Sequence, residues 1–338
     1  MENQTTNYKT AIIIAGLIFI IWGILGVLDS KNYTYAGYFS DDNWTVNKVE
    51  EGSPAEAAGF QIGDKVKSTG GILVTDSKAL NKRDRAKIGE TREIIVERDG
   101  EDVTLNLTYA AMTSKNRTNN MLGFFIGLLF IIFGLYANYK FKSALSNAFA
   151  VFSICFGFLF MSGPYISSNF LNTIVGILST AVVLFSFTSL AIYMLRYPPK
   201  SEILNGKKKK LLYFPMILLL VIVATLEIFQ PDNSGTLNMV MRLLFGAFII
   251  GYFLIAVITL VKKYLKASQP DRTSKGLNMM LLGTLIGIIP ILIYFSITTL
   301  SPGTELPGND YVFITFLAIP IFFTIALNQI NNNSAVAA

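Results

Sequence analysis

The chain has 338 residues, a net charge of +6, no histidine and one cysteine. Hydrophobic residues make up 52% of it and charged residues only 15%, which is typical of a protein with many membrane-spanning helices. Because histidine is absent, zinc-protease sites, Ser-His catalytic sets and a phosphoaccepting histidine are excluded from these residues. Cys155 lies inside an apolar run, so we expect a small core residue without a disulfide partner.

The first element is an apolar run over residues 11–28, preceded by a single Lys9. Such a run is typical of either a cleaved signal peptide or a retained anchor. Residues 26–30 contain no Ala-x-Ala-like cleavage site. The sequence therefore favours a retained signal-anchor helix over residues 1–30, with cleavage as the open alternative.

A polar island follows, and its local signals predict a small α/β domain over residues 35–110. Ser53 is a plausible helix N-cap with Pro54 at the first helical position, and Gly59 can end that short helix. Residues 44–49 alternate as a strand, and Lys65 begins another strand after a tight turn.

The second half of the island predicts a longer helix and a hairpin. Asp76 can cap a helix over residues 77–88, which Gly89 would end. Strands over residues 92–98 and 103–107 flank Asp99-Gly100, a strong hairpin-turn signal.

Three short motifs of the island resemble those of bacterial PDZ domains: Gly52-Ser53-Pro54-Ala55, Ala58-Gly59-Phe60 and Gly63-Asp64. The resemblance implies that an extended peptide binds as an added strand along residues 37–41, opposite the helix over residues 77–88. Residues 35–38 then stand where that family has its carboxylate-binding loop, but they depart from its Gly-hydrophobic-Gly pattern. The peptide-binding residues that this interpretation predicts are Tyr35, Ala36, Gly37, Tyr38, Phe39, Lys78, Lys82 and Arg85.

The basic residues of the longer predicted helix have two interpretations. A basic wall could attract an acidic ligand or a peptide C-terminus. The alternative is a solvated helix face, or one that contacts anionic lipid headgroups.

Eight apolar runs are each close to the roughly 20 residues that span a bilayer. They cover residues 11–28, 121–139, 145–163, 170–195, 211–229, 237–261, 277–295 and 311–327. The predicted fold class is therefore an α-helical polytopic membrane protein with about eight transmembrane helices and an inserted extracytoplasmic PDZ-like α/β domain. Residues 120–330 form its seven-helix transmembrane domain.

Basic residues occur only in alternate loops of this predicted bundle. The loops around residues 140–142, 196–210 and 262–275 are rich in Lys and Arg, whereas residues 164–169, 230–236 and 298–310 have neither. Because basic loops stay cytoplasmic, both termini are predicted inside and the island outside, in a bacterial cytoplasmic membrane. The net charge of +6 does not indicate binding to nucleic acid.

Small and charged residues inside the runs predict further contacts. Glycines four residues apart at 123 and 127, and at 283 and 287, favour close helix packing within the chain over dimerisation. Glu227 and Arg242 lie about one turn from the outer ends of their runs, which fits an intramembrane ion pair; the alternative is that both side chains extend to the membrane interface. Ser162, Tyr165, Ser168, Asn169 and Asn172 either line an outer vestibule or are ordinary loop polarity.

Three membrane segments are similar to the sensor half of ComP-type quorum-sensing histidine kinases: residues 194–200 with their Tyr-Pro-Pro-Lys exit, residues 274–290, and residues 310–328 with Ile319-Pro320-Ile321. The resemblance implies a membrane sensor without the kinase region. The sequence leaves open whether the chain is a natural stand-alone protein or a truncated sensor kinase.

We therefore expect a receptor whose outer domain binds a peptide or protein ligand and whose helices relay occupancy inward. A membrane scaffold or adaptor that presents the domain to an envelope protease is the alternative, and a transporter is less favoured. No catalytic set is recognised, so we expect no enzyme activity, no cofactor and no metal. The expected partners are the outer ligand and the lipid bilayer, while a homodimer and a cytoplasmic signalling partner remain open.

Overall fold

A computed structural model describes residues 2–206, 208–229, 235–300 and 309–336. The predicted outer loops over residues 230–236 and 298–310 lie largely outside this part of the chain, as does Lys207. The helices are α1 (Glu2–Asp29), α2 (Pro54–Ala57), α3 (Ser77–Lys82), α4 (Ser114–Phe141), α5 (Ala144–Phe158), α6 (Asn169–Arg196), α7 (Lys208–Leu211), α8 (Phe214–Phe229), α9 (Gly235–Lys266), α10 (Gln269–Ser274), α11 (Leu277–Leu300) and α12 (Ala318–Val336). Short 3₁₀ turns cover Ser30–Asn32, Glu202–Leu204 and Asn309–Leu317.

The strands all lie between α1 and α4, in a small domain that we call the head domain (residues 34–111). They are β1 (Thr34–Tyr35), β2 (Tyr38–Ser40), β3 (Val46–Val49), β4 (Lys65–Thr69), β5 (Ile72–Leu73), β6 (Thr91–Arg98), β7 (Glu101–Thr108) and β8 (Ala110–Ala111). An antiparallel sheet has the order β5-β4-β6-β7, and β2 pairs with β3. Strands β1 and β8 pair where the chain enters and leaves the domain.

The head domain has its own apolar core between the sheet and α2. Val46, Ala55, Val66, Ile94 and Leu107 are almost fully buried there. Alternate residues of β6 and β7 face this core, as expected for a sheet with one solvated side.

Local signals in the head domain predict most of its elements correctly. The Ser53 side chain accepts a hydrogen bond from the Glu56 N–H at 3.2 Å, which confirms the predicted N-cap of α2. Asp99 and Gly100 both have positive φ, as a tight hairpin turn between β6 and β7 requires.

The second helix is shorter than predicted. Asp76 caps α3 through the Ala79 N–H at 2.9 Å, but the helix ends at Lys82 rather than near residue 88. Arg83, which follows it, is extended, and Arg85 donates its N–H to the Ser167 carbonyl oxygen at 3.0 Å, outside the domain. A helix continuing to residue 88 would need that N–H for its own turn.

Seven helices are long and apolar enough to span a membrane among the described residues, against the eight predicted. The third predicted span is α5, which has 15 residues and covers about 22 Å. After α5 the chain is no longer helical, and Gly163 lies against α1, where a Cβ atom would come within 2.0 Å of the Trp22 ring. The end of this predicted span is therefore an irregular segment that packs on α1. Several apolar helices still indicate a multi-pass membrane protein.

The bundle packs around aromatic side chains of α4, α5, α6 and α12. Phe130, Phe149, Tyr193 and Phe323 are fully or almost fully buried in this cluster. Large apolar side chains on the outer faces of α1, α8 and α9 are exposed, as lipid-facing side chains would be.

Both predicted glycine pairs lie at helix contacts within the chain. A Cβ atom on Gly127 would come within 2.4 Å of the Gly157 carbonyl oxygen, and one on Gly283 within 2.7 Å of the Phe322 side chain. Helices α4 and α5, and likewise α11 and α12, are therefore packed closely at these glycines. The predicted close packing within the chain is therefore present at both pairs.

Candidate functional site

The loop before β2 is held in a defined shape by the start of α2. Ala36 accepts a hydrogen bond from the Ala55 N–H at 2.9 Å, and the Ser53 hydroxyl donates to the Gly37 carbonyl oxygen at 3.4 Å. Gly37 has a φ of +86°, and a Cβ atom there would lie 2.1 Å from the Ser53 Cβ atom. Only glycine fits this position, so Gly-Ser-Pro-Ala serves to fix the loop as well as to begin α2.

Along one edge of β2, backbone N–H and C=O groups point away from β3. Glu50 donates its N–H to Gly37 at 2.8 Å and Asp41 donates its N–H to Thr45 at 2.9 Å, so the odd-numbered residues of this stretch pair with β3. In an antiparallel ladder the alternate residues then direct their N–H and C=O groups away from the partner. Tyr38 and Ser40 therefore point these groups to the opposite edge, where β2 has no strand neighbour in the described part of the chain.

Side chains beside this edge are aromatic. The Tyr38 ring stacks on Phe60 with centroids 4.6 Å apart, whereas Phe39 is 51% exposed. Burial, and then the nearby Tyr109, raise the pKa of Tyr38 to about 12. Burial and a hydrogen bond to Glu50 raise the pKa of Tyr35 to about 12. Both phenols are therefore neutral at physiological pH and place no charge beside the loop.

The predicted peptide-binding residues lie in separate places in the structure. Tyr35, Ala36, Gly37, Tyr38 and Phe39 form one continuous loop and strand edge. Lys78 and Lys82 are exposed on α3, where they remain available to a ligand or to solvent.

Arg85 is not exposed like these lysines but belongs to a contact between the head domain and the bundle. Its guanidinium lies 5.6 Å from the Tyr33 ring centroid and 5.4 Å from that of Tyr165. The Tyr165 hydroxyl donates to the Ala86 carbonyl oxygen at 3.0 Å. A cation between two aromatic rings stabilises this contact by cation–π attraction, so Arg85 has a docking role that its position in the sequence did not predict.

Polar side chains at the start of α6 complete the docking contact. The Asn169 amide donates to the carbonyl oxygens of Leu80, at 3.0 Å, and of Arg83. The Thr173 hydroxyl donates to the Asn81 side chain at 3.2 Å. Asn169 therefore binds one carbonyl group in the last turn of α3 and one just beyond its end, and fixes that helix over the bundle.

A second contact joins the turn after β2 to α9. The Arg242 guanidinium forms an ion pair with Asp42. In the described part of the chain Arg242 therefore pairs with the head domain, and no ion pair between Glu227 and Arg242 is seen there. Matching depth along two helices predicted that pairing, but it carries no information on a domain 200 residues away in the chain.

A cavity of about 540 Å³ lies between these two contacts, bounded by α3, α6, α8 and α9. Its polar lining residues are Ser77, Asn81, Asn169, Asn172, Thr173, Thr180, Glu227 and Asn238. Asn169 and Asn172 were predicted as vestibule residues. The contribution of α3 was not, because nothing in the sequence places that helix above the bundle.

The match to known families concerns the first third of the chain. Residues 24–108 match the sequence profile of the PDZ domain. This chain carries a PDZ domain. The match covers the strand edge and the loop described above, and it begins inside α1. No curated protein matches the chain, so the likeness of the membrane segments to sensor kinases stays a prediction.

Proposed function

We propose that this protein is a membrane receptor whose PDZ domain binds an extended peptide or protein segment along the free edge of β2, on the outer face of a bacterial cytoplasmic membrane. The observation that carries the proposal is the outward direction of the Tyr38 and Ser40 backbone groups beside a rigid loop. Backbone groups of an added strand would satisfy them, as PDZ domains generally do with peptides. Binding at this edge needs no histidine, metal or cofactor, and we propose a non-catalytic role.

The fixed attachment of the head domain to the bundle favours a receptor over a scaffold. The head domain is attached to the bundle through Arg85, through Asn169 and through the Asp42–Arg242 ion pair. Asp42 is two residues beyond β2, so a strand added to β2 would lie next to its pair with α9, within reach of the bundle. A scaffold that only tethers a partner has no need of such a contact.

Binding along β2 is tested by Ser40→Pro, assayed against a random dodecapeptide library with the full chain in lipid nanodiscs. Proline removes the outward N–H of Ser40 and leaves the ladder to β3 intact, as edge strands tolerate. We expect library peptides to bind the wild type and Ser40→Pro to weaken them by about tenfold, the loss of one or two backbone hydrogen bonds.

Ser40→Ala is the matched control, because it keeps the N–H and should bind as the wild type does. Equal binding by Ser40→Pro and the wild type would contradict the proposed edge. The selected peptides also separate the two roles: a receptor changes hydrogen exchange in α10 and early α11 on binding, whereas a scaffold does not.

The outward placement of the PDZ domain is supported by the segregation of charge along the bundle. Arg196 at the end of α6 donates to the Ala144 carbonyl oxygen at 3.1 Å, and Lys263 donates to Met194 at 2.8 Å. The basic loops therefore gather at one end of the helices, and the PDZ domain docks at the other. Basic loops tend to stay in the cytoplasm, which supports an outer position for the domain.

This orientation predicts the labelling of single cysteines in intact cells, in a Cys155→Ala background. An impermeant maleimide should label Glu101→Cys in the β6–β7 hairpin and leave Lys262→Cys, near the end of α9, unlabelled until the cells are opened. Both positions are exposed, so accessibility to the reagent depends on the side of the membrane. The reverse pattern would place the PDZ domain in the cytoplasm.

A further inference from the structure

The cavity beneath α3 has one charged group and many neutral polar ones. Glu227 is the only charged residue among the described residues that line it. The other polar lining residues are amides and hydroxyls, which donate and accept hydrogen bonds without adding charge. A carboxylate in such a setting, near the outer end of a membrane-spanning helix, attracts a cationic group.

The cavity lies beyond the end of the β2 edge. Helix α9 holds Asp42, just after β2, through Arg242, and the adjacent Met241 of the same helix lines the cavity. On the other side, Ser77 and Leu80 of α3 line it as well. The cavity therefore lies beside the turn that follows β2, where that turn contacts α9.

The spacing between Gly37 and Asp42 sets how far a bound peptide must extend. Asp42 lies five positions after Gly37, and an added strand advances at the same spacing of about 3.3 Å per residue. A peptide seated with one end at Gly37 therefore reaches the cavity with a residue about five positions from that end.

We infer that the Glu227 cavity binds a lysine or arginine side chain of the peptide held along β2. The inference rests on the proposed function, since it concerns the same peptide that lies along β2. It assigns to the bundle a part of ligand selectivity: the PDZ edge binds the backbone, and Glu227 selects a basic residue. Arg242 keeps its own partner in Asp42, so the Glu227 carboxylate is available to the ligand.

The first test selects peptides from the random dodecapeptide library on the wild-type full chain in nanodiscs. We expect enrichment of Lys or Arg at one position, about five residues from the end seated at Gly37. Replacing that residue by methionine should weaken binding to the wild type by about tenfold, as loss of a charge-assisted pair does. Glu227→Gln should bind both peptides equally weakly, and Glu101→Gln, an exposed carboxylate on the distant hairpin, should behave as the wild type.

The outcomes separate the inference from the proposed function. Peptides that bind and are weakened by Ser40→Pro, but that show no basic preference altered by Glu227→Gln, overturn the inference and leave the function standing. If no peptide binds the wild type, the proposed function fails and the inference fails with it.

A second measurement examines the cavity without a peptide. Asn172→Cys, in a Cys155→Ala background, places a thiol in the cavity lining. We expect a cationic methanethiosulfonate to react with it about tenfold faster than an anionic one, because the carboxylate raises the local concentration of cations. Glu227→Gln should remove that difference. Equal rates with Glu227 present would overturn the cation site.

Discussion

Replacing Asp64 by asparagine is expected to lower the free energy of unfolding of the PDZ domain by about 3 kcal/mol, since it breaks a buried ion pair on one side only. Asp64 is 1% exposed. Its carboxylate accepts hydrogen bonds from Arg98 Nε at 2.7 Å and Nη2 at 2.8 Å, and from the Gln61 N–H at 2.9 Å. Asparagine keeps the shape but leaves the Arg98 guanidinium without its anion.

Urea unfolding of the full chain in detergent measures this loss. The chain has two tryptophans, so a Trp22→Phe background leaves Trp44, which packs against the core of the PDZ domain, as the reporter. Asp102→Asn is the matched control, because Asp102 also pairs with a cation, Lys67, but is 59% exposed. An exposed pair contributes about 1 kcal/mol or less, so similar losses from the two variants would contradict the role assigned to burial.

The same pair gives the stability a pH dependence. Burial alone would raise the pKa of Asp64, but the hydrogen bonds from Arg98 and Gln61 outweigh it and hold the pKa below its ordinary value. A depressed carboxyl pKa stabilises the folded state above the unfolded pKa of about 3.9 and ceases to do so as the pH falls through the folded value. The difference between the wild type and Asp64→Asn should therefore be complete at neutral pH and shrink below about pH 4.

Short-range signals in the sequence were sufficient for most of the PDZ domain. Ser53-Pro54 and Asp99-Gly100 act through their own backbone neighbours, so a cap and a turn follow from a few adjacent residues. The apolar runs likewise predicted the long helices, because spanning a bilayer depends on length and composition alone.

Short-range signals could not predict the contacts between distant parts of the chain. Helix α3 stops early because residues after Lys82 bond to Ser167 and Asn169, and periodicity within the helix does not reveal those partners. The partner of Arg242 and the docking role of Arg85 were missed for the same reason. The elements around the candidate edge of β2 therefore followed from local signals, whereas the contacts of the head domain with the bundle did not.

Replacing Gly37 by alanine is expected to weaken peptide binding by about tenfold or more, because the added Cβ atom cannot be accommodated beside Ser53. Two terms contribute. A left-handed φ costs a residue with a Cβ atom about 1 kcal/mol, and the atom would also lie 2.1 Å from the Ser53 Cβ atom. The loop must move off α2 to relieve that contact, and it carries the start of β2 with it.

Gly52→Ala separates these two terms. Gly52 has a φ of +68° but has nothing within 4 Å of its missing Cβ atom, so its substitution incurs the backbone term alone. In the same urea assay we expect Gly52→Ala to cost about 1 kcal/mol and Gly37→Ala about 2 kcal/mol more, as overpacking of a filled site does. Binding of the selected peptides should fall about tenfold or more for Gly37→Ala alone.

A double variant assigns the larger effect to one contact. Ser53→Gly removes the side chain that the methyl group added by Gly37→Ala would meet, and glycine at an N-cap costs only a few tenths of a kcal/mol. Gly37→Ala in the Ser53→Gly background should therefore lose little beyond the backbone term, and the two substitutions should be strongly non-additive. Additive losses would show that the Ser53 contact does not hold the loop, and the fixed start of β2 would have to be attributed to other contacts.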